Sequence, residues 1–181
     1  MEIKDFILVQ KIKAGNRQAF EVLVKRYYQN IYAYCFRRCG NKETAQDLTQ
    51  DIFVKLISSI YRYTPTGKFQ NFLFTIAVNT CNDYHRKSTI QQTDVDIDIM
   101  IDSEPFLEDS HIKKEEHVLL CERLQTLPDI QKNALILYYY HDLKIKDIAT
   151  ITGVSVSTVK SRIHQGIGKL KKIYRKDGEI K

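Results

Sequence analysis

Proline and glycine are scarce in this chain of 181 residues, which contains three Pro and seven Gly. Both residues interrupt regular helices, so their scarcity favours long helices. The sequence also lacks a run of about 18 apolar residues, the length that a membrane-spanning helix needs. Its charged N-terminal stretch, MEIKDFILVQKIKAG, has neither the apolar core nor the cleavage site of a signal peptide. We therefore expect a folded intracellular protein.

Cysteine is also sparse, with four residues at scattered positions. An intracellular location would keep these thiols reduced. Cys35 and Cys39 would share one face of a helix, where two thiolates could approach a metal ion. The neighbouring sequence supplies no His or Cys to complete the four ligands of a structural zinc site. We interpret these cysteines as packing residues and expect neither a metal nor a cofactor.

Charge is divided unevenly along the chain, although the formal total is only +6. Residues 1–87 carry 14 Lys and Arg against 7 Asp and Glu, residues 88–116 carry 2 against 9, and residues 117–181 carry 12 against 6. Two basic blocks thus flank an acidic segment. Such blocks favour a polyanionic partner, and a solvated helical surface is the alternative explanation.

Apolar residues recur at steps of three and four through most of both basic blocks, which is the period of amphipathic helices. Turn residues separate the predicted helices, as in CGNKE at 39–43 and the loop YTPTGK at 63–68. Residues 88–116 break this pattern. Their stretch DVDIDIMID alternates like a strand, but the sequence offers no partner strand, so we interpret the segment as a linker. The predicted fold class is all-α, with two small helical domains at 1–87 and 117–181 joined by this acidic linker.

The C-terminal block contains a helix-turn-helix pattern. A short helix with an apolar face at 145–149 leads to a Thr-Gly-Val turn at 152–154, whose glycine supplies backbone freedom. Ser155 is a suitable N-cap for the next helix, and no Asp or Glu occurs from there through Lys176. Anionic DNA disfavours acids at a reading surface, whereas a merely solvated helix usually mixes signs. The candidate DNA contacts on this helix are Ser157, Thr158, Lys160, Ser161, Arg162, His164 and Gln165.

An earlier segment, NKETAQDLTQDIFVKLISSIYRY, predicts a helix from Glu43 to about Tyr61 with a buried apolar side that includes Ile57. The opposite side presents acids and amides in an otherwise basic half of the chain. Such a surface would repel DNA and suits a basic protein surface. The alternative is a solvated helix whose N-terminal acids complement its dipole. The members of this acidic-amide patch are Gln46, Asp47, Gln50 and Asp51.

The following helix, FQNFLFTIAVNTCNDYHRK, combines an apolar side with exposed amides and cations. The loop before it adds an aromatic ring and further cations, and this combination suits unstacked bases and their backbone. Aromatic side chains of a helical protein are also common in its core, and composition alone leaves that alternative open. The candidate contacts to single-stranded DNA are Arg62, Tyr63, Lys68, Phe72, Asn79, Asn82, Arg86 and Lys87.

In four segments the sequence resembles bacterial RNA polymerase sigma factors of the extracytoplasmic-function (ECF) subfamily, and the resemblance covers nearly all of the chain. NRQAFEVLVKRYYQNIYAY resembles the first part of region 2, and AQDLTQDIFVKL resembles the helix that docks on the clamp of core RNA polymerase. FQNFLFTIAVNTCNDYHRK resembles the helix that melts the promoter and reads its −10 element. Residues 124–163 resemble region 4, which reads the −35 element.

This resemblance implies a role for each candidate surface. The acidic-amide patch would contact the clamp of the largest polymerase subunit, and region 4 would lie near the polymerase flap. Asn79 corresponds to an Asn beside the pocket for a flipped −10 base, with the loop at 61–68 as the pocket wall. The helix-turn-helix residues would read the −35 element. The acidic linker would thread polymerase channels meant for RNA and mimic a polyanion.

Four positions depart from the family pattern. Phe72 replaces the usual Trp of the −10 helix and lacks its N–H donor, and Val78 replaces a common Arg. Lys132 stands where the family has Arg, and Lys146 where it has an acid. Promoter melting and promoter preference therefore do not follow from the family pattern alone.

The resemblance implies a cytoplasmic bacterial transcription initiation factor, not an enzyme, whose partners are core RNA polymerase and promoter DNA. Many relatives are held inactive by a membrane-anchored anti-sigma factor, so the resemblance implies that partner too. One alternative is a stand-alone helix-turn-helix regulator, which would bind duplex DNA tightly by itself, usually at a symmetric site. Another is a DNA-processing enzyme such as a recombinase, but the sequence shows no constellation of a nucleophile with clustered Arg and His.

Overall fold

A computed structural model describes residues 4–65, 67–91 and 119–176, and within these ranges it contains helices and turns but no strand. The predicted all-α class is confirmed. Residues 92–116 of the predicted linker lie outside the described residues. Within those residues, no helix combines the length and apolar character needed to cross a membrane.

The N-terminal half, residues 4–91, consists of four helices whose ends follow local sequence signals. Asn16 caps α2 by accepting a hydrogen bond from the backbone N–H of Ala19 at 2.9 Å, and Asn41 caps α3 in the same way at 2.9 Å. Gly40 ends α2 in the left-handed region at φ 73°. The helices are α1 (Asp5–Lys13), α2 (Arg17–Cys39), α3 (Lys42–Ser59) and α4 (Phe69–Gln91), with a 3-10 turn (Ile60–Arg62) after α3.

Two expectations for this half need correction. The helix α4 continues to Gln91, so the first four residues of the predicted linker belong to it. Ile57 is 43% exposed, although its helical spacing placed it on the buried side of α3. The buried side of α3 is narrower than expected because it packs between α2 and α4. It is formed by Ala45, Leu48, Thr49, Ile52, Phe53 and Leu56.

The C-terminal half, residues 119–176, contains the expected four helices. In the helix-turn-helix, Gly153 adopts φ 66°, and Ser155 Oγ accepts a hydrogen bond from the Thr158 N–H at 3.1 Å. The helices α6 and α8 approach closely at Gly166, where an added Cβ would lie 2.8 Å from Leu135 Cδ1. The elements are α5 (119–125), α6 (Asp129–Leu135) with a directly continuing π-helical stretch (Ile136–Tyr140), α7 (Ile145–Thr152) and α8 (Val156–Lys176).

The two halves pack directly against each other. Helix α4 contacts α7, the π-helical stretch contacts α2, and one cluster of buried apolar side chains runs through both halves. We call this contact region the seam; it lies between α2 and α4 of the N-terminal half and α6, the π-helical stretch and α7 of the C-terminal half. The arrangement in which the two halves are packed together at the seam is called the closed form. The seam determines which of the candidate side chains face solvent.

Candidate nucleic-acid and polymerase interfaces

The acidic-amide patch lies on the outer surface of α3. All four of its side chains are exposed in the closed form. The same helical stripe continues with three exposed apolar side chains, Val54 at 63%, Ile57 at 43% and Tyr61 at 57%. Exposed apolar groups of this size beside a polar patch are typical of a protein-binding surface.

The candidate −10 loop is held by an aromatic cluster at the start of α4. The rings of Tyr63 and Phe72 stack at a centroid distance of 4.5 Å, and Tyr63 meets Phe69 edge-on at 5.8 Å. Lys13 Nζ of α1 donates a hydrogen bond to the Tyr63 carbonyl at 2.6 Å. Partial burial raises the pKa of Tyr63. The loop therefore presents a half-buried aromatic wall that is held by contacts with α1 and α4.

The remaining −10 candidates, including Asn79, are all exposed, and they differ in the contacts that they make within the protein. The side chains of Arg62, Lys87 and Arg86 are exposed, and Arg86 forms a surface ion pair with Asp83 at 3.1 Å. Asn82 is also exposed, but its side chain accepts a hydrogen bond from Arg38 Nη2 at 2.9 Å at the edge of the seam. The first three groups are accessible to a nucleic acid in the closed form, whereas Asn82 is engaged by the protein itself.

The candidate −35 face of α8 remains open to solvent. Ser157, Lys160 and His164 are exposed. Gln165 is also exposed and makes two hydrogen bonds, donating to Ser161 Oγ at 3.1 Å and accepting from Gln131 Nε2 at 2.9 Å. These bonds fix the direction of the amide relative to the helix. Thr158 and Arg162 are only partly exposed.

An ion pair between a buried arginine and an aspartate whose side chain is 40% exposed forms one end of the seam. The side chain of Arg38 on α2 is fully buried and donates from both terminal nitrogens to the carboxylate of Asp129 at the start of α6. Burial alone would raise the pKa of Asp129, but the hydrogen bonds and charge of Arg38 outweigh it and hold that pKa below its ordinary value. His85 Nε2 lies 3.8 Å from the same carboxylate, and burial and Arg38 lower the pKa of His85.

A second carboxylate, Asp147 of α7, marks the other end of the seam. It accepts a hydrogen bond from Asn71 Nδ2 at 2.9 Å and forms an ion pair with Lys68 Nζ at 3.1 Å. The hydrogen bond from Asn71 and the nearby Lys68 ammonium lower the pKa of Asp147. Lys68, a candidate −10 contact, is thus occupied by an acid from the C-terminal half.

Between these ends the seam is packed with aromatic and cationic groups. The ring of His141 lies 4.8 Å from Phe74 and 5.9 Å from Tyr34, centroid to centroid. Burial and the nearby charge of Arg37 lower the pKa of His141 to about 3. The guanidinium of Arg37 lies 4.1 Å from the centre of the Tyr140 ring, a cation–π contact.

Further hydrogen bonds cross the seam. Tyr34 donates to Asn133 Oδ1 at 2.8 Å, and Gln125 Nε2 donates to the Arg37 carbonyl at 2.9 Å. Lys132 Nζ donates to the Arg38 carbonyl at 3.2 Å. The lysine that departs from the family pattern is therefore a buried contact between the halves, and burial followed by the charge of Arg38 lowers its pKa.

A pocket of about 180 Å³ opens at the seam between α4 and the helix-turn-helix. Its lining includes Asn79 and Asn82 from the candidate −10 surface and Arg162 from the candidate −35 set. The closed form therefore brings members of the two predicted DNA surfaces together. The acidic-amide patch and the outer face of α8 remain separate from this pocket.

Sequence reasoning missed the seam residues Arg38, Asn71, Asp129, Asp147 and His141. The contacts that they form join positions 67 to 107 residues apart, and no local pattern links such positions. A weak signal was available in the consecutive Arg37 and Arg38, which follow an otherwise apolar face of α2 and are buried at 5% and 0% exposure. Fully buried Arg is rare unless it is paired. The position of Arg38 beside an apolar face of α2 therefore predicted an ionic partner, but it did not identify which residue that partner is.

Two family models match the chain. The model described as Sigma-70 region 2 matches residues 23–90, and that described as Sigma-70, region 4 matches residues 118–170. The RNA polymerase sigma factor YlaC of Bacillus subtilis (strain 168) is 31% identical over 172 residues, which cover 91% of this chain and 96% of that protein. The ECF RNA polymerase sigma factor SigW of the same organism is 28% identical over 180 residues, covering 92% and 95%.

Two solved structures share the fold. CnrH, in a complex with the cytosolic domain of CnrY, gives a TM-score of 0.72 at 23% identity, covering 96% of this chain and 98% of that one. The sigma factor RpoE, in a complex with the anti-sigma factor NepR from Bartonella quintana, gives 0.71 at 21% identity, covering 86% and 96%. Both likenesses extend over the two halves.

Proposed function

The chain belongs to the RNA polymerase sigma factor family, in its extracytoplasmic-function subfamily, and from that premise we propose which surface performs each step of transcription initiation. Members of this family direct core RNA polymerase to promoters, and that is the function of this protein. The division of labour among its surfaces is inferred from exposure, charge and side-chain chemistry. In this proposal the polymerase performs the chemical reaction and this chain supplies recognition, in the bacterial cytoplasm.

The acidic-amide patch of α3 is the proposed docking site for the clamp of the largest polymerase subunit. Its acids would meet a basic surface, and electrostatic complementarity of this kind promotes encounter and fixes register. The exposed Val54, Ile57 and Tyr61 beside it would supply the apolar centre that a stable interface needs. This surface is accessible in the closed form, which is the observation that best supports the proposal.

The proposed −10 site is the loop 61–68 with the exposed side of α4. Tyr63 and Phe72 supply a preformed aromatic wall on which an unstacked base can rest. Asn79 carries both amide donors and an acceptor, which suit the hydrogen-bonding edge of a flipped base. Arg62, Lys68, Arg86 and Lys87 would hold the phosphate backbone, and Asn82 would extend the amide surface along the helix.

The proposed −35 site is the outer face of α8. In a helix-turn-helix the N-terminal residues of the second helix contact base edges in the major groove. Ser157, Lys160 and Ser161 would occupy that position, and His164 and Gln165 follow one turn later. Thr158 and Arg162 would position the helix through the backbone, since both are only partly exposed.

The proposed partners are core RNA polymerase at its clamp and flap, promoter DNA, and an anti-sigma factor. The anti-sigma factor is included because the similar solved structures of CnrH and RpoE are complexes, the second with a protein named as an anti-sigma factor. A membrane-anchored form of that partner would require no membrane segment in this chain.

Gel filtration with sigma-free bacterial core polymerase tests the docking surface. The wild-type protein should co-elute with the polymerase, and the double variant Asp47→Lys/Asp51→Lys should not. The matched control is Glu21→Lys/Glu122→Lys, which makes the same change of net charge at two other exposed acids and should co-elute. Failure of the wild-type protein to co-elute, together with tight binding of the protein alone to duplex DNA, would favour a stand-alone regulator instead.

A further inference from the structure

One side chain of the proposed −35 surface is held by a residue outside its own helix. We propose that Gln131 of α6 sets which bases Gln165 of α8 accepts, because it fixes the direction in which the Gln165 amide faces DNA. With this direction fixed, Gln165 favours the keto bases guanine and thymine over the amino bases adenine and cytosine. The inference rests on the proposed −35 site and deepens it, since Gln131 would be a positioning residue that acts through Gln165.

Close packing of α6 against α8 places Gln131 beside the reading face. Gly166 has no side chain, and a Cβ added there would lie 2.8 Å from Leu135 Cδ1 and 3.5 Å from Gln131 Cβ. The two helices therefore approach each other closely at the residue that follows Gln165. Gln131 is only 6% exposed, yet its Nε2 lies 2.9 Å from Oε1 of the exposed Gln165. The glycine at 166 thus lets a buried glutamine hold a side chain at the surface.

Two hydrogen bonds determine the direction of the Gln165 amide. Its Oε1 accepts from Gln131 Nε2, and its Nε2 donates to Ser161 Oγ at 3.1 Å. Ser161 lies one turn nearer the N-terminal end of α8, the end that contacts base edges in helix-turn-helix complexes. The amide oxygen is therefore held towards α6 and the amide nitrogen towards the bases. That nitrogen carries two hydrogens, and the second has no partner among the described residues, so Gln165 offers DNA a donor.

The reverse direction of both amides is less favourable because of the surroundings of Gln131. In the observed direction, Gln131 Oε1 is buried without a hydrogen-bond partner among the described residues. Reversal would put the NH2 group at this position and leave both of its hydrogens without an acceptor there. Among buried backbone groups, unpaired N–H is rarer than under-satisfied C=O, and the same accounting applies to a side-chain amide. Gln131 therefore acts as the donor and Gln165 as the acceptor.

A hydrogen-bond donor at this position distinguishes bases by their edges in the major groove. Guanine O6 and thymine O4 accept hydrogen bonds, whereas the adenine N6 and cytosine N4 amino groups donate them. The usual bidentate contact of Gln with adenine needs an amide oxygen that accepts from N6. In Gln165 that oxygen is turned towards α6 and bonded to Gln131. The pair therefore converts a side chain that commonly reads adenine into one that favours guanine or thymine.

Replacement of Gln131 by glutamate should reverse the preference without changing the size of the side chain. The carboxylate of Gln131→Glu only accepts hydrogen bonds, so the Gln165 amide should rotate and donate to it. Ser161 should then donate to the amide oxygen, because a hydroxyl can donate as well as accept. Gln165 would present an acceptor to DNA and favour adenine or cytosine. Gln131→Met keeps the length of the side chain but donates no hydrogen bond, so it should remove the preference without reversing it.

Binding of the full-length protein, in complex with core polymerase, to duplex DNA tests this proposal. A random-sequence duplex library is first selected with the wild-type protein and with Gln165→Ala, and the −35 base pair at which only the wild type is selective is the one that Gln165 reads. Competition then measures the relative affinity for the four bases at that position. Keto bases should be favoured about fivefold by the wild type, equally with amino bases by Gln131→Met, and less than amino bases by Gln131→Glu.

Two controls separate this role from a merely structural one. Thr150→Glu adds the same negative charge at an exposed position of α7, so it should weaken binding to all sequences alike and keep the preference for keto bases. In a Gln165→Ala background, neither Gln131 substitution should change base preference, because the side chain through which Gln131 acts is gone. Loss of packing at Gln131 would instead lower the affinity for all four bases equally in both backgrounds.

An unchanged base preference in the Gln131 variants would overturn the proposal, and Gln131→Met suffices for this test if the buried glutamate prevents folding. A change that persists in the Gln165→Ala background would overturn it as well, and so would a wild-type preference for adenine or cytosine. Failure of the wild-type protein to bind core polymerase would reject the proposed function and this inference with it. Polymerase binding and −35 selectivity that do not respond to Gln131 would reject only the positioning role.

Discussion

Mild acid should open the closed form, and His141 should be the main reason. Its ring packs against Phe74 and Tyr34, and its Nε2 is buried without a hydrogen-bond partner among the described residues. Protonation there would place a charge near the guanidinium of Arg37. When the halves separate, the ring loses Phe74 and Tyr34 and regains water, so its pKa returns towards the ordinary value of about 6.5.

The sign and size of the effect follow from these two pKa values. A histidine whose pKa is lowered to about 3 on closure disfavours the closed form as soon as the pH falls below its value in the open form. Proton binding to His141 multiplies the equilibrium constant for opening by about 30 at pH 5 but by only about 1.3 at pH 7. The free energy of closure should therefore become about 2 kcal/mol less favourable when the pH falls from 7 to 5.

The other titrating groups of the seam do not reverse this trend. The pKa values of Asp129 and Asp147 are lowered in the closed form, so their contribution to closure is lost only below about pH 4, the ordinary range of Asp. His85 has a lowered pKa from burial and from Arg38 and therefore acts in the same direction as His141.

Small-angle scattering at pH 7 and pH 5 measures the effect as an increase in the radius of gyration. His141→Phe keeps an aromatic ring in the seam but cannot be protonated, so it should lose most of the pH response. His164→Gln changes an exposed histidine of α8 and should retain that response. An expansion of the His141→Phe variant equal to that of the wild-type protein would refute the reasoning.

Two stability predictions concern single helices. Gly166→Ala should destabilise the protein by about 1–3 kcal/mol, because its methyl group would lie 2.8 Å from a side chain of α6, whereas Gly168→Ala in the same helix meets nothing within 4 Å and should not be destabilising. Asn41→Ala removes the cap of α3 and should cost about 1 kcal/mol, whereas Asn30→Ala, at an exposed position inside α2, should not. Urea unfolding measures both pairs, and equal stabilities within either pair would contradict the contact or the cap on which that prediction rests.

Local patterns in the sequence predicted the local structure well. The all-α class, the four C-terminal helices and the cap at Ser155 follow from apolar spacing and from side chains that bond to their own backbone. The acidic-amide patch is exposed because its spacing on α3 is opposite to that of the buried leucine and isoleucine side chains. The roles of the candidate DNA and polymerase contacts remain predictions, since exposure alone does not identify a partner.

The sequence did not predict the contacts between the halves. Helical spacing shows which side of a helix is apolar, but it does not show which other helix covers that side. Arg38 and Asp129 are 91 positions apart, and each alone resembles an ordinary surface charge. Ile57 departs from prediction in the opposite direction, because its spacing matched the buried side of α3 but no helix in the described part of the chain buries it.

The Arg38–Asp129 pair has a consequence for chimaeric sigma factors. Exchanging the C-terminal half for that of a relative is a natural way to redirect a polymerase to new −35 sequences. If the relative that supplies the C-terminal half has no acid at the position of Asp129, the chimaera either buries Arg38 without a counterion or does not form the closed arrangement. Its transcription would then change at every promoter, because the amount of open protein would change together with the sequence that it reads. Modular exchange would preserve selectivity only if both sides of the seam were transferred together.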